Sequence, residues 1–189
     1  MSATSPLHLD AAGSPAQHRS ETGRQAMLNR PELRKVPAEL LTTLGWVSGT
    51  LHLPPHQGLI EFLALNPQLL KLTAVRIPGE VDPIPFVALR REAVILVAPA
   101  LPKEHVQDVS PGPTWAREIA CLLPIGSLRG TITVPEGLRL SDHLQQQGQL
   151  LLMRHCLLAP YGATLNAPDA RSLPAAVVDL RHVAGVAGS

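Results

Sequence analysis

An internal repeat restricts the fold of this chain more than any other feature of its sequence. Residues 45–77 align without a gap on residues 126–158, at a constant offset of 81 positions. The identical pairs are Gly45/Gly126, Gly49/Gly130, Thr50/Thr131, Pro54/Pro135, Leu59/Leu140, Leu63/Leu144, Gln68/Gln149, Leu69/Leu150 and Leu70/Leu151. Most of these residues are Gly, Pro or Leu, which set backbone shape and packing. The alignment therefore predicts a tandem duplication of one structural unit, and it identifies no specific activity.

The repeat divides the 189 residues into two small units. The predicted boundaries are a disordered arm over residues 1–36 with a possible short helix from Gln25 to Lys35, a first unit over 37–99, a Pro-rich linker over 100–114 and a second unit over 115–189. Units this small bury a limited share of their surface. We therefore expect the two units to pack against each other.

Hydrophobic periodicity predicts the same order of elements in each unit: a strand, a bent strand, a short helix and three more strands. Val47, Leu51 and Leu53 alternate on one face of the bent strand, and Leu70, Leu72 and Ala74 on one face of the next. The predicted helices are LIEFLAL in the first unit and LSDHLQQQ in the second, with Ser141 as N-cap of the second. IPFVALR and AVILVAP predict a hairpin whose tip carries Arg90, Arg91 and Glu92.

Short, strongly curved strands with one helical turn are typical of small barrels, in which closure removes exposed sheet edges. The predicted fold class is therefore mainly β: two Sm-like or SH3-like β-barrel units, each with one short helix. A ferredoxin-like sandwich would need two full-length helices in each unit, and neither unit has room for them.

The second unit has a longer turn before its last two strands. Pairing Pro85 with Pro174 and Val97 with Val186 requires an offset of 89, so this unit carries eight additional residues. Insertions in one copy of a repeat map to surface loops and are often functional. We therefore predict a possible interaction loop containing Tyr161, Asn166, Asp169 and Arg171.

Two corresponding segments carry a recognisable motif. They run from Gly49 to Leu63 and, more completely, from Gly130 to Leu144, GTITVPEGLRLSDHL. The motif positions are Gly49, Thr50, Pro54, Leu59, Glu61 and Leu63 in the first copy, and Gly130, Thr131, Pro135, Gly137, Arg139, Leu140, Ser141, Asp142 and Leu144 in the second. This pattern resembles a family of small uncharacterised bacterial proteins, each of about one such unit. The resemblance implies a small β-barrel and a bacterial origin, and it carries no catalytic residue. The first copy departs from the motif, with Gly58 in place of the arginine and Ile60 in place of the serine.

Composition argues against several functional classes. Lys plus Arg total 16 against 15 for Asp plus Glu, and aromatic residues make up 3%, so nucleic acid is not a favoured partner. No apolar stretch approaches the length of a membrane helix, and the N-terminus does not resemble a secretory signal, so we expect a cytoplasmic protein. Cys121 and Cys156 lie in apolar surroundings and are predicted to be buried and reduced.

Candidate catalytic and metal-binding residues are few. His52 and His56 have the spacing H-x-x-x-H, but Pro54 and Pro55 between them forbid the helix that would align their rings. Four further candidate ligands occur in the second unit at spacings that match no ligand pattern: His143, His155, Cys156 and His182. We therefore predict no metal site, no cofactor and no catalytic residue, because nucleophile, phosphate-loop and dinucleotide motifs are also lacking.

Other polar and aromatic residues have both a functional and a structural interpretation. Glu61 and Asp142 are an acidic pair retained between the copies, suited either to acid-base chemistry or, more simply, to the first turn of a helix. A small anion site is one interpretation of Arg90, Arg91, Arg171, Arg181 and His182, and solvated surface is the other. Trp115 lies just after the linker and suits a contact between the units, and ordinary core packing is the competing interpretation for both Trp115 and Trp46.

Three functional hypotheses follow from these observations. The first is a non-enzymatic protein-interaction or scaffolding module, in which apolar strands such as AVILVAPA extend a sheet to another protein or to a second copy. The second is a ligand-binding or regulatory protein with a cleft between the units, walled by residues 161–171. The third is single-stranded RNA binding by analogy with Sm-like barrels.

Overall fold

In the computed structural model, the described residues are 32–100, 112–162 and 170–188. The strands are β1 (Arg34–Thr42), β2 (Gly45–Leu53), β3 (Leu69–Arg76), β4 (Ile84–Arg90), β5 (Val94–Pro99), β6 (Thr114–Leu123), β7 (Gly126–Pro135), β8 (Leu150–Pro160), β9 (Arg171–Asp179) and β10 (Gly185–Gly188). Helix α1 spans Leu59–Ala64 and helix α2 spans Leu140–Gln146. Two 3-10 turns, Arg91–Ala93 and Leu180–His182, precede β5 and β10. The predicted order of elements is present in the first half (32–100) and in the second half (112–188).

The strands form one antiparallel sheet of ten, in the order β10-β6-β7-β8-β9-β5-β1-β2-β3-β4. Each half contributes five adjacent strands, and β9 of the second half pairs with β5 of the first. The sheet is not closed, so its ends are the edge strands β4 and β10. The mainly β class is confirmed, whereas two closed barrels are not, because a strand of each half pairs with the other half.

Strand pairing in the second half follows that in the first at fixed offsets. Leu69 pairs with Arg90, and the residues 81 and 89 positions later, Leu150 and Asp179, also pair. By the same offsets, the pair of Leu40 with Val97 in the first half corresponds to the pair of Cys121 with Val186 in the second. The second-half counterpart of a first-half residue is therefore found by adding 81 to its number if it precedes the loop before β4. For residues that follow that loop, 89 is added.

A bulge occurs at the same place in both halves. Ala74 in β3 and His155 in β8 have φ of 50° and 49°, values that are uncommon for residues with a side chain. The bulge shifts the alternation by one residue, so Val75 is buried and Ala74 is exposed. The prediction that Ala74 shares a face with Leu70 and Leu72 is therefore wrong.

The core is aliphatic and crosses the boundary between the halves. One buried cluster contains most of the apolar residues of the second half together with Trp46, Ile95 and Leu96 of the first. The other cluster belongs mainly to the first half but includes Val177. The halves thus share their cores as well as their sheet.

Two predictions about connections are corrected. β4 and β5 form no hairpin, because β4 pairs with β3 while β5 pairs with β1 and β9. Arg34 and Lys35, predicted as the end of a helix, begin β1 because they pair with Leu53 and His52. Val36, also assigned to the predicted arm, is a buried residue of β1. Residues 1–31 of the predicted arm, linker residues 101–111 and loop residues Asn166 and Asp169 lie outside the described residues.

Candidate functional site

The junction between the halves is the candidate functional site, because it unites strands from opposite ends of the chain. Leu96 of β5 pairs with Val178 of β9, and Val97 with Val177. All six residues of β5 and the last five of β9 are buried. The junction is therefore a packed, continuous piece of sheet.

A buried ionic cluster closes one end of this junction. Arg91 Nη1 lies 2.8 Å from Asp179 Oδ2, and the two side chains are 5% and 1% exposed. Arg181 donates two hydrogen bonds to the same carboxylate, from Nη2 to Oδ2 at 2.7 Å and from Nε to Oδ1 at 3.0 Å. Arg91 Nη1 also donates to the carbonyl of Val94. Arg91 belongs to the first half and Asp179 to the second, so the ion pair joins the halves.

Burial and charge act in opposite directions on these groups. Burial lowers the pKa of Arg91 below its ordinary value, and this effect exceeds the opposing effect of Asp179. Burial alone would raise the pKa of Asp179, but hydrogen bonds from Arg181 and the charges of Arg91 and Arg181 hold that pKa below its ordinary range. The carboxylate is therefore ionised at neutral pH. The sequence-based interpretation of Arg91 as solvated surface is wrong, because its side chain is buried against Asp179, which lies 88 positions further along the chain.

A second contact joins the halves at the other end of β9. Arg171 Nη1 donates to Glu39 Oε2 at 3.0 Å, and its guanidinium lies 4.5 Å from the centre of the Trp46 ring. Glu39 and Trp46 are in the first half. The predicted loop residue Arg171 thus forms a contact between the halves, while Tyr161 at the start of that loop is exposed.

The tryptophan at the contact between the halves is Trp46, and not Trp115 as predicted. Trp46 is buried at the contact between the halves, whereas Trp115 is half exposed and has Arg117 5.2 Å from its ring centre. Trp115 lies near the start of β6, where β7 is its only paired strand in the described part of the chain, because β10 pairs with Ile119–Leu122 further along β6.

Two clefts border the junction. One of about 190 Å³ is lined by Glu39, Trp46, Ser48, Arg76 and Arg171, among others. The other, of about 510 Å³, is lined by Leu69 and by six polar or charged residues: Asn66, Gln68, Arg90, Arg91, Glu92 and Arg181. The guanidinium groups of Arg91 and Arg181 already bind Asp179, and Arg90 binds Glu92 at 3.1 Å.

The motif glycines Gly49 and Gly130 and the helix acid Glu61 have roles in packing and helix capping. A Cβ on Gly49 or Gly130 would approach the carbonyl oxygen of Thr73 or Arg154, to 3.3 and 2.9 Å respectively, where the bulged strand crosses closely. Glu61 Oε2 accepts the backbone N–H of Gly58 at 3.0 Å, as the simpler interpretation of the retained acids predicts.

The N-cap of helix α2 is Arg139, so the prediction for Ser141 is wrong. Helix α2 begins at Leu140, and helix α1 begins at the repeat counterpart, Leu59. Ser141 therefore occupies the first turn, where its hydroxyl lies 3.3 Å from Asp142 Oδ1.

The remaining motif residues lie in strands, turns and helix packing. Thr50 and Thr131 lie in β2 and β7, Pro54 follows β2, and Pro135 ends β7. Leu59 and Leu63 are buried, and Leu140 and Leu144 pack against the core. Gly137 has a φ of 80°, which suits glycine in a tight turn. The motif is thus spread along the unit and its residues do not converge on one site.

The histidines and cysteines are dispersed. His52 Nε2 lies 2.8 Å from Thr73 Oγ1, and His143 Nε2 lies 3.1 Å from Gln147 Nε2. Within residues 32–100, 112–162 and 170–188, no three His, Cys, Asp or Glu side chains form a group that could hold a metal ion. Cys121 and Cys156 are free and buried, as predicted, and burial raises their pKa values to about 11 and about 12.

Comparison of the chain with protein-family models, curated proteins and solved structures gives no match. None of the helices in the described part of the chain is long and apolar enough to cross a membrane. The fold and the junction define a mainly β protein with an open, ten-stranded antiparallel sheet whose edge strands are β4 and β10.

Proposed function

We propose that this protein is a non-enzymatic interaction module that assembles with further copies of itself by strand addition at the ends of its sheet. The β5–β9 junction is the observation that supports this proposal most directly. The repeat counterpart of β9 is β4, and the counterpart of β5 is β10. Within residues 32–100, 112–162 and 170–188, these two strands are the edges of the sheet, each with a single neighbouring strand. A second junction of the same kind would therefore join β4 of one copy to β10 of the next.

The offset of 89 gives the register of this second junction. Val97 opposite Val177 corresponds to Val186 opposite Ala88, and Leu96 opposite Val178 corresponds to Gly185 opposite Leu89. Main-chain hydrogen bonds between edge strands provide the affinity in this mode of recognition.

The backbone of β4 has groups free to form these bonds. Arg91 N–H donates to the carbonyl of Gln68 at 3.0 Å, which sets the alternation of the β3–β4 ladder. In an antiparallel ladder, alternate residues direct their N–H and C=O groups away from the partner strand. By this alternation Phe86, Ala88 and Arg90 direct theirs towards the open edge. Pro85 immediately precedes these residues, and its counterpart Pro174 occurs in β9, which does pair.

Exposure supports the same assignment. Whereas β5 is buried throughout, β4 has no buried residue, and Phe86 on this strand is 55% exposed. Exposed apolar edge strands promote pairing with another chain unless charges or a covering element protect them. Between Ile84 and Leu89 the edge has no charged residue.

The geometry of the proposed contact is head to tail. Such contacts use two different surfaces, and they generate either a closed ring or an open filament. The counterparts of Asp179 and Arg91 are Arg90 and Leu180, so the contact between copies has no equivalent of the buried ion pair. We expect it to be weaker than the internal junction and to depend on protein concentration. We place the assembly in the cytoplasm, where reducing conditions maintain thiols such as Cys121 and Cys156.

Sedimentation of the full chain across a concentration series tests the proposal. We expect species heavier than the 20.2 kDa single chain. Ala88→Pro removes one outward N–H and should prevent assembly, whereas Ala88→Val at the same position retains that N–H and should assemble. Circular dichroism checks that both variants are folded. A wild-type chain that stays monomeric at the highest concentration, or an Ala88→Pro variant that assembles normally, would refute the proposal.

A further inference from the structure

A cleft in the second half lies beside the free edge strand β10. Its volume is about 520 Å³, and Ala187 and Gly188 of β10 line one side. The polar groups in it are the exposed side chains of Glu118, Arg129 and His155 together with Thr131. The cleft is open to solvent.

The counterpart of this cleft in the first half contains a side chain from across the junction. Ala120, Arg129 and Leu157 of the large cleft correspond at an offset of 81 to Glu39, Ser48 and Arg76. These three residues line the smaller cleft of about 190 Å³, which also includes Arg171 of the second half. In that cleft Arg171 binds Glu39 and lies over Trp46.

The counterpart of Arg171 at an offset of 89 is Asp82. It is exposed and lies two residues before β4, in the turn that contains Glu80. Arg171 is in β9, paired with Leu158, whereas the β3–β4 ladder ends at Ile84. If β4 of one copy pairs with β10 of another, extending the β4 register by two residues brings the turn with Asp82 to the side of the large cleft where the small cleft holds Arg171. The signs of the charges are then reversed. Within one chain the basic side chain of Arg171 meets Glu39, and between copies the acidic side chain of Asp82 would meet Arg129.

We infer that the large cleft is the docking site for the Asp82 turn of a second copy, with an ion pair between Asp82 and Arg129. This inference rests on the proposed head-to-tail assembly and adds a specific contact to it. Arg129 attracts the incoming carboxylate. Glu118 in the same cleft opposes it, at the position where the first half has Pro37.

Charge reversal tests the inference. Asp82→Arg and Arg129→Asp should each weaken self-association about 5-fold at low salt, and the double variant should return to within about 2-fold of wild type, as expected for a partly exposed ion pair. Glu80→Arg reverses a neighbouring exposed acid that has no assigned partner, and it should have a clearly smaller effect than Asp82→Arg.

Two outcomes separate this inference from the proposal on which it rests. If wild type assembles, Ala88→Pro does not, and the charge reversals have no effect, the docking contact is refuted while the head-to-tail assembly stands. If wild type does not assemble at all, both are refuted.

A cross-linking experiment does not depend on the strength of the ion pair. The contact between Arg171 and Glu39 corresponds to one between Asp82 and Ala120 of a second copy. Because two long ion-paired side chains hold their Cα atoms further apart than a disulfide allows, a mixture of Asp82→Cys protein and Ala120→Cys protein should be linked into a heterodimer by a bifunctional thiol reagent with a spacer of matching length. Glu80→Cys replaces Asp82→Cys in the control mixture. Equal cross-linking in the two mixtures, or none in either, contradicts the docking contact.

Discussion

Arg91 and Asp179 form a buried ion pair that links the first half of the chain to the second, with Nη1 and Oδ2 2.8 Å apart. Asp179 also pairs with Arg181, and the first-half counterparts of these two residues, Arg90 and Glu92, form a pair whose side chains are 78% and 70% exposed. Arg90 occupies the position that corresponds to Asp179, and Glu92 the position that corresponds to Arg181, so the acidic and basic residues have exchanged positions. The two halves therefore place an ion pair at the same point of the fold, one buried at the junction and one in solvent at the free edge.

Removing the buried carboxylate should be strongly destabilising. Asp179→Ala leaves Arg91 buried without its counter-charge, and we expect a loss of about 3–5 kcal/mol in the free energy of unfolding. The exposed pair is the matched control, and Glu92→Ala should cost at most about 1 kcal/mol. Urea unfolding monitored by circular dichroism measures both. Similar losses for the two variants would contradict the assignment of the junction to the Arg91–Asp179 pair.

The same carboxylate should make stability depend on pH in acid. The pKa of Asp179 is lowered in the folded protein, so its contribution is complete above the unfolded value of about 3.9 and is lost as the pH falls below that value through the folded one. Urea midpoints measured from about pH 6 to about pH 2.5 follow this loss. Asp179→Asn should lower the midpoint at neutral pH and flatten the decrease in acid. An unchanged acid slope in this variant would show that other carboxyl groups dominate.

The elements themselves could be predicted from the sequence, because their signals are local. Alternation, proline and glycine predicted β2, helix α1 and β5 close to their observed bounds. The bulge at Ala74 could not be predicted, since its left-handed conformation is imposed by the crossing strand and not by residue type.

The way in which the halves join is a long-range property that no local pattern encodes. The apolar run of β5 indicated burial on both faces but not its partner, which is β9. Arg91 and Trp46 were missed as junction residues for the same reason. Their partners, Asp179 and Arg171, lie in the other half of the chain, and only the offset of 89 hinted that β9 and β4 are equivalent.

Arg171 should shield Trp46 from water. In a Trp115→Phe background, Arg171→Ala removes the guanidinium over the ring, so we expect a red shift of Trp46 emission and a loss of about 1 kcal/mol in stability. Arg117→Ala, assayed in a Trp46→Phe background, is the matched control, because Trp115 is already half exposed. We expect little change in its emission. A larger shift for the control than for Arg171→Ala would argue against a specific contact between the halves.

Gly45 and Gly126 are aligned by the repeat but are required for different reasons. Gly45 has a φ of 121°, and a Cβ there would meet no atom of the described residues within 4 Å, whereas a Cβ on Gly126 would collide with the carbonyl of Ala159 and approach Pro160 Cα to 2.8 Å. Gly126→Ala should therefore cost about 1–3 kcal/mol through overpacking against the backbone of β8. Gly148→Ala is the control, because its Cβ would meet nothing within 4 Å in the described part of the chain and its φ is not in the left-handed region. We expect its stability to remain within about 0.5 kcal/mol of wild type. If urea unfolding ranks Gly148→Ala as the more harmful change, the close approach of β7 and β8 at Ala159 does not limit which side chains can occupy position 126.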